Sequence, residues 1–440
     1  MAADDPTATP PEPDRLSPAG HGVRAAPRAD GRSAGGRRLL AAAVGLGAVL
    51  ALVLVPGDGR ASVPETAEQG GATGAGQASE AGTTEAGQAS EPRSFTLVAG
   101  GDVLLHEPLW AQAEADGAAA GTGGLDFRPL LAGVAPIVQG ADVAICHLET
   151  PLAPPGGPYH GYPAFSVPPD IASALADTGF DACSTASNHT FDQGAAGIDR
   201  TLTTLDAAGI RHAGSARTPE EAEAITLIPT PVADVALLSY TFGFNGIPAP
   251  GGEDWRGARI DEGRILADAA RARAAGAEVV VVALHWGEEY QSEPTPTQRD
   301  LGPRLVASPD IDLVLGHHAH VVQPVEAVGG EWVVYGMGNF VAHQSTVLPA
   351  NEEGLLVRFT FTDGPGGWHA ASAEYAALLV RRPGPPIRLV DAGAARADPA
   401  LAPADRARAQ EAWDRTTAAV GALGATGAGL VPLCSVSCGA

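Results

Sequence analysis

The sequence is poor in cationic side chains. Its 440 residues include 27 Lys and Arg against 51 Asp and Glu, which leaves a formal net charge of −24. So acidic a chain would repel the phosphate backbone of DNA or RNA, which argues against a general nucleic-acid binder. An anionic substrate is not excluded, because a bound metal ion can reverse the sign of the local potential.

Cysteine is also scarce, with four residues in the whole chain. Cys146 and Cys183 lie at or near apolar runs, a position typical of unreactive thiols in a protein core. Cys434 and Cys438 form a C-x-x-x-C pair, where a disulfide is expected if the domain lies outside the cytoplasm. No His or further Cys accompanies this pair, which argues against a zinc site there.

One long uncharged apolar run occupies residues 39–55, directly after Arg37 and Arg38. Its length is at the short end for a membrane span and rather long for the core of a signal peptide. The basic flank predicts a cytoplasmic N-terminus with the following domain on the outer side. We therefore expect residues 37–56 to form a single transmembrane anchor in the cell membrane, or a signal segment of a secreted protein.

Composition divides the rest of the chain. Residues 1–36 are rich in Pro, Ala, Asp and Arg, which predicts a disordered cytoplasmic tail. Residues 57–93 are rich in Gly, Ala, Glu, Thr and Ser, which is typical of a flexible linker. The folded domain is expected over residues 94–393, followed by an Ala-rich C-terminal appendage at 394–440.

Apolar runs alternate with amphipathic segments in the expected domain, which indicates an α/β fold with largely buried sheets. Helices are predicted over residues 195–208, 264–275 and 297–306. Near the end of the domain, VVYGMGNF, LLVRFTFTD and AEYAALLV are three closely spaced strand-like runs. They favour a second sheet, or a pair of mixed sheets, over one simple doubly wound sheet.

Ionisable side chains follow the ends of five predicted strands, which is where ligands gather in α/β proteins. The five groups are Asp102 with His106, His147 with Glu149, Asn188 with His189 and Asp192, His285 with Glu288 and Glu289, and His317 with His318 and His320. On an extended segment, the two imidazoles of H-x-H at positions 318 and 320 would point the same way. Together these groups predict a mixed N/O shell for two divalent ions, with Mn, Fe and Zn all suitable.

The order Asp, Glu, Asn-His, His and H-x-H resembles the calcineurin-type metallophosphoesterases. The segments GGDVLLH, HLETPL, SNHTFDQGAAGIDRTL, HWGEEYQSEPTPTQRDLG, DLVLGHHAHVVQPVE and YGMGNF further resemble the CapA, or poly-γ-glutamate capsule synthesis, family. The resemblance extends over roughly residues 95–380. It implies a four-layer α/β/β/α sandwich that carries two divalent metal ions at one edge of its paired sheets.

The resemblance also implies a ligand for each metal position. The ligands would be Asp102, His106 and His320 for the first ion, Asn188, His285 and His318 for the second, and Glu149 as a bridge between them. His106 departs from the wider pattern, because the superfamily has D-x-H where this chain has D-x-x-x-H. It would therefore either bind the first ion or line the pocket.

Other residues would surround the metal ions. His189 would lie beside the leaving group as a general acid, and Asp192 would either orient its imidazole or cap the next helix. His147 and His317 are expected to be spacers that face the other side of their strands. Four further residues would line the pocket, as substrate contacts or as structural support: Trp286, Tyr290, Gln323 and Asn339.

Two divalent ions can bind both oxygens of an in-line displacement and lower the pKa of a bound water. The expected function is an extracytoplasmic two-metal hydrolase linked to the biosynthesis of poly-γ-glutamate or a related capsule or envelope polymer. The alternative is a non-catalytic accessory subunit of a membrane polymer synthase or exporter. Both imply an anionic polymer, and other synthase subunits, as partners.

Overall fold

The structure, a computed structural model, describes residues 92–344, 348–381 and 386–433. The expected tail (1–36), the anchor or signal segment (37–56), nearly all of the linker (57–93) and the Cys434–Cys438 pair lie outside the described residues. Of the helices within the described ranges, none combines the length and the apolar character that crossing a membrane requires.

The larger sheet contains nine strands in the described part of the chain. They are β1 (Ser94–Leu104), β2 (Val143–Leu148), β3 (Ala182–Ser184), β4 (Arg211–Ala213), β11 (Asn339–Ala342), β12 (Glu353–Gly364), β13 (Gly367–Arg381), β14 (Arg388–Asp391) and β15 (Leu430–Pro432). Their order is β14-β13-β12-β1-β2-β3-β4, with β11 beside β1 and β15 beside β13. The strands β1 to β4 are parallel to one another, so their carboxyl ends lie at the same edge.

The smaller sheet has six strands among the same residues. They are β5 (Thr226–Pro229), β6 (Asp234–Thr241), β7 (Val279–His285), β8 (Leu313–His317), β9 (Val325–Val328) and β10 (Glu331–Val334). The order is β5-β6-β7-β8-β10-β9. Here β6, β7 and β8 are parallel, which again brings three carboxyl ends to one edge.

The longer helices connect parallel strands or follow the sheets. The α-helices are α1 (Glu107–Ala120), α2 (Arg128–Leu131), α3 (Ala135–Gln139), α4 (Asp170–Thr178), α5 (Gly194–Ala207), α6 (Pro219–Glu223), α7 (Glu262–Ala274), α8 (Pro296–Val306), α9 (Ala392–Ala397) and α10 (Pro403–Gly421). Short 3-10 turns occupy Pro250–Gly252, Asp254–Arg256 and Pro349–Glu352. The three helices predicted from periodicity are confirmed as α5, α7 and α8, within one or two residues at each end.

Each sheet is covered on both faces, which explains why its parallel strands read as continuous apolar runs. One core packs α1 to α5 against one face of the larger sheet. A second core lies between the two sheets and takes alternate residues from both, such as Leu97, Ile145, Leu237 and Val281. A third packs α7 and α8 against the far face of the smaller sheet. The layers therefore follow the order α/β/β/α.

The run VVYGMGNF does not form the single strand that its apolar character predicted. Its first residues end β10 in the smaller sheet, and its last residues begin β11 in the larger one. The chain crosses between the sheets near Gly338, which has a φ of 62° in the left-handed region that glycine adopts without steric cost. This crossing places Asn339 beside Asp102 of β1.

The expectation of two separate core thiols is wrong for Cys146 and Cys183. Both are buried, as expected, but they form a disulfide with a Cα–Cα distance of 4.4 Å. They are direct partners in the parallel pairing of β2 and β3, and both belong to the helix-covered face of the sheet. That shared face and register bring the sulfur atoms together, which could not be read from positions 37 residues apart in the sequence.

The C-terminal residues are tied to the larger sheet. α9 and α10 pack on β13 around Leu379 and Ala412, and β15 pairs with β13. Arg408 and Arg415 each lie 2.6 Å from the buried carboxylate of Glu353 in β12. The boundary at residues 393 and 394 stays a prediction.

Truncation of Leu237 tests the core between the sheets. Because its side chain is fully buried there, Leu237→Ala should lower the free energy of unfolding by about 2–5 kcal/mol. The same substitution at the half-exposed Leu348 should change it by less than about 0.5 kcal/mol. Urea unfolding followed by tryptophan fluorescence measures both, and equal losses would contradict the assigned core.

Candidate metal centre

The site lies where the carboxyl ends of the two parallel strand sets meet. Asp102 and His147 are register partners near the ends of β1 and β2, and His285 and His317 are register partners at the ends of β7 and β8. All four side chains are buried. The site therefore continues the core between the sheets, with polar residues replacing apolar ones in the last row.

A bulge in β1 brings Asp102 to this face. The register shifts between Ala99 and Asp102, so that two glycines stand where the neighbouring strand has one residue. A Cβ at Gly101 would lie 2.1 Å from the carbonyl oxygen of Gly338, so only glycine fits this close approach. Without the extra residue, strand alternation would direct Asp102 to the helix-covered face.

One group of potential ligands comprises Asp102, Glu149 and His320, whose ligand atoms all lie within 4.8 Å of one another. His320 spans the two carboxylates: its Nδ1 lies 3.1 Å from Asp102 Oδ2 and its Nε2 lies 3.7 Å from Glu149 Oε1. Asn339 also contacts the ring, with its Oδ1 3.1 Å from His320 Nδ1. Asn339 thus holds the orientation of a ligand candidate.

A second set lies next to the first. Asn188 Oδ1 is 3.0 Å from His285 Nε2, and the rings of His285 and His318 have centroids 4.7 Å apart. Glu289 forms a further group with His318 and His320, again within 4.8 Å. The structure therefore brings together six of the residues expected as ligands: Asp102, Glu149, Asn188, His285, His318 and His320.

The H-x-H segment reaches the site by another geometry than the extended one predicted. His318 and His320 follow β8 with φ values of 88° and 55°, in the left-handed region. Residues other than glycine rarely adopt this backbone conformation. Backbone strain of this kind is concentrated at functional sites. The turn places the two imidazoles with ring centroids 5.9 Å apart, in one group with Glu289.

His106 lies beside these groups rather than within them. Its Nδ1 is 3.1 Å from the carbonyl oxygen of Leu104 and 3.2 Å from the backbone nitrogen of His343. Burial lowers the pKa of His106 to about 4. Among the residues that the structure describes, it belongs to none of the clustered ligand groups. Its assignment to the first metal ion stays a prediction, and this placement favours the pocket-lining alternative.

The polar atoms of the two carboxylates differ in their partners. Asp102 is buried, which opposes its ionisation, but contacts with His317 and His320 outweigh burial and hold its pKa well below the usual range. Both oxygens of Glu149 are buried without a hydrogen-bond partner in the described structure, and burial raises its pKa well above the usual value. His318 Nδ1 is likewise buried and unpartnered. Unpartnered oxygen and nitrogen donors that converge in one place are compatible with divalent metal binding.

His189 and Asp192 form a buried pair at the rim. His189 Nδ1 lies 2.7 Å from Asp192 Oδ2, which also accepts a hydrogen bond from the backbone nitrogen of Phe165. The ring of Phe165 contacts His189 edge-on, with centroids 4.7 Å apart. α5 begins at Gly194 and has no side-chain cap. Asp192 therefore orients the imidazole and does not cap the helix.

The expectation that His147 and His317 face away from the site is wrong. His317 Nδ1 lies 3.0 Å from Asp102 Oδ1, and His147 Nε2 lies 2.9 Å from His285 Nδ1. The alternation of side chains along the strand could have predicted this orientation. In β2, Val143 and Ile145 belong to the core between the sheets, so His147, two residues further, shares their face.

The four expected pocket residues differ in their surroundings. Trp286 is a core residue that packs with α8 and donates from Nε1 to the carbonyl oxygen of Tyr335. Gln323 is fully buried and bonds to Gln298 and to the backbone of Gln291. Tyr290 is partly exposed, and its ring centroid is 6.2 Å from that of His320. Of the four, Asn339 contacts a ligand candidate directly and Tyr290 borders one.

Residues 96–344, more than half of the chain, match the family model described as "Bacterial capsule synthesis protein PGA_cap". The match includes all the ligand candidates, the pair of His189 and Asp192, and Asn339.

Curated relatives carry related names. The capsule biosynthesis protein CapA of Bacillus anthracis is 27% identical over 197 residues, 44% of this chain and 47% of that protein. The PGA biosynthesis protein CapA of Bacillus subtilis (strain 168) is 29% identical over 176 residues, 40% and 46% of the two chains. A Mycobacterium tuberculosis (strain H37Rv) protein named "Probable polyglutamine synthesis accessory protein" is 27% identical over 263 residues, 55% and 67%. The match thus spans about half the length of the two Bacillus proteins.

Among solved structures, the calcineurin-like phosphoesterase YfkN from Bacillus subtilis aligns with a TM-score of 0.41 and 13% identity, over 74% of this chain and 98% of that chain. The NAD nucleotidase of Haemophilus influenzae aligns with a TM-score of 0.38 and 8% identity, over 74% and 56%. Likenesses of this degree add nothing to the assignment, which rests on the family match. The chain belongs to the bacterial capsule synthesis protein family PGA_cap.

Proposed function

We propose that the protein is a metal-dependent hydrolase that acts outside the membrane on a capsule or envelope polymer. The observation that carries this proposal is the buried carboxyl group of Glu149, which lies in one ligand group with Asp102 and His320 and whose two oxygens have no hydrogen-bond partner among the described residues. A buried charge without a partner costs several kcal/mol. A cation between Asp102, Glu149 and the imidazoles would remove that cost.

We assign the donor atoms to two divalent ions. Asp102, Glu149 and His320 would hold one ion, and Glu149, Asn188, His285 and His318 would hold the other. Imidazole, carboxylate and amide donors suit Mn, Fe or Zn. When bound, such ions supply positive charge that polarises a phosphoryl or carbonyl oxygen and lowers the pKa of a water.

The protein's own contribution to the chemistry is the pair of His189 and Asp192. Because Asp192 accepts from Nδ1 of His189, it sets the tautomer in which Nε2 can exchange a proton. In its protonated form, with Nδ1–H still bonded to Asp192, His189 would deliver the Nε2 proton to the leaving group and become neutral. Phe165 and the backbone hydrogen bond from its nitrogen to Asp192 keep both side chains in place.

The substrate class and the location come from other observations. The names of the two Bacillus relatives support a capsule polymer, with poly-γ-glutamate or a related anionic chain as the substrate. The apolar run at residues 39–55 with its basic flank supports a domain outside the membrane. A strongly acidic protein would release an anionic product readily, because like charges repel.

The alternative is an accessory subunit that holds the polymer without cleaving it. The name of the Mycobacterium tuberculosis relative favours this role. A subunit that only binds would need the metal ligands but not the hydrogen-bonded pair of His189 and Asp192. Activity that depends on this pair therefore separates the two functions.

Two buried glutamates give a matched test of the metal centre. A free Mn²⁺ concentration about a hundredfold above the Kd should raise the free energy of unfolding of the wild-type protein by about 2.7 kcal/mol. Glu149→Gln should lose most of this response, yet be no less stable than wild type without metal, because burial already disfavours the charged form of Glu149. Calorimetric scans with and without Mn²⁺ measure both effects.

Glu353→Gln is the control, because Glu353 is equally buried but paired with Arg408 and Arg415. It should lower stability by about 1–3 kcal/mol and keep the full response to Mn²⁺. A Glu149→Gln protein that responds to Mn²⁺ like wild type would remove Glu149 from the metal centre.

Replacement of His189 tests hydrolysis. The Mn²⁺-loaded protein should cleave a phosphoester or a γ-glutamyl amide, and His189→Ala should lower kcat/KM by about 10²–10⁴-fold with unchanged metal content. The control is His369→Ala, at an exposed position in β13, which should leave activity unchanged. If wild type and His189→Ala bind metal but are equally inert on every substrate, the accessory role replaces the hydrolase.

A further inference from the structure

His147 and His317 form a buried pair directly beneath the ligand candidates. Their rings are stacked, with centroids 4.0 Å apart and planes 22° from parallel. Both side chains are almost fully inaccessible to solvent. Neither has a role in the proposed chemistry, although each contacts a residue that would bind metal.

His147 uses both of its ring nitrogens. Nε2 lies 2.9 Å from Nδ1 of His285, and Nδ1 lies 2.8 Å from Oγ of Ser184. The hydroxyl of Ser184 can also donate to the carbonyl oxygen of Cys146, at 3.4 Å. His285 in turn points its Nε2 at Oδ1 of Asn188. A continuous row of hydrogen bonds thus extends from Ser184 through two imidazoles to Asn188.

This row has two self-consistent directions, because a neutral imidazole has one N–H and one lone pair. In the first, Ser184 donates to His147, His147 donates to His285, and His285 Nε2 donates to Asn188. In the second, His285 Nδ1 donates to His147 Nε2, and His147 Nδ1 donates to the hydroxyl of Ser184. The hydroxyl of Ser184 then donates to the carbonyl oxygen of Cys146. Both directions carry the same number of protons, so they differ only in tautomer.

Coordination of a metal ion by Nε2 of His285 would be compatible with only one of these directions. The first direction places a proton on Nε2 of His285, where it would block coordination. The second frees the lone pair of Nε2, beside the Oδ1 atom of Asn188. The partner of a ligating histidine's other nitrogen sets its tautomer and its ring orientation.

We propose that His147 is a positioning residue: its Nε2 accepts a hydrogen bond from the Nδ1–H group of His285 and so presents the Nε2 lone pair of His285 to the second metal ion. This inference rests on the metal-binding half of the proposed function and not on hydrolysis. Ser184 completes the arrangement, because its hydroxyl accepts a hydrogen bond from His147 Nδ1–H and donates one to the carbonyl oxygen of Cys146. The histidine row is thereby anchored to the backbone of β2.

The test measures metal affinity in the full-length protein by competition between the protein and a chelator for Zn²⁺. His147→Phe fills the same space but accepts no hydrogen bond, and should weaken binding of one of the two ions by about 10–100-fold while the other stays bound. His147→Gln keeps an acceptor oxygen and should recover most of the affinity. His369→Phe, at an exposed position, is the control and should bind both ions as wild type does.

A spectroscopic readout separates positioning from a general loss of packing. In Zn²⁺-loaded protein labelled with ¹⁵N at histidine, His285 should show a protonated Nδ1 in wild type and in His147→Gln. In His147→Phe that signal should shift or exchange with solvent. If His147→Phe does not fold, Ser184→Ala provides the second variant, with the same but smaller changes in affinity and in the His285 signal.

The outcomes separate this inference from the proposed hydrolysis. Two ions bound equally tightly by wild type, His147→Phe and Ser184→Ala, with an unchanged His285 signal, would overturn the positioning role alone. A wild-type protein that shows the predicted binding pattern but cleaves nothing would overturn hydrolysis alone. A wild-type protein that binds no Zn²⁺ would overturn the positioning role and the metal centre together.

Discussion

The burial of two carboxylates at one edge of the sandwich is the constraint on which the site depends. Asp102 and Glu149 are both inaccessible to solvent, where an ionised group needs a charged or hydrogen-bonding partner. Asp102 has such partners in His317, His320 and the backbone nitrogen of His318. Glu149 has no hydrogen bond among the described residues, and His320 Nε2 lies 3.7 Å from its Oε1, so a bound cation would stabilise its ionised form.

The buried environment arises because the core between the two sheets ends in a row of polar residues at the strand ends. The rows of side chains between the sheets end in His147, His285 and His317, each two residues beyond an apolar core position. The bulge at Gly100 and Gly101 brings Asp102 into the same row. Helices cover the outer faces of both sheets, and the polar cluster lies at the ends of the parallel strands.

Much of the fold and site could be predicted from local sequence. Strand-like runs, the three longer helices and the polar residues that follow strands depend on periodicity, which a short window contains. Six of the seven predicted ligands lie together, and His189 and Asp192 form a pair. The groups of potential ligands also contain Glu289, His147 and His317, which were not predicted as ligands. Identification of the six ligands and of the pair relied on residue order along the chain and on the family resemblance.

Contacts between distant segments could not be predicted in this way. Membership of one apolar run did not show that VVYGMGNF divides between two sheets, nor that Cys146 and Cys183 are register partners. The roles of His147 and His317 depend on partners 138 and 215 residues away. The sequence by itself determined which elements form and which side chains end them, because those properties follow from neighbouring residues. Only the tertiary structure decided which nitrogen meets which oxygen, because sheet pairing, the β1 bulge and the left-handed turn at His318 set those distances together.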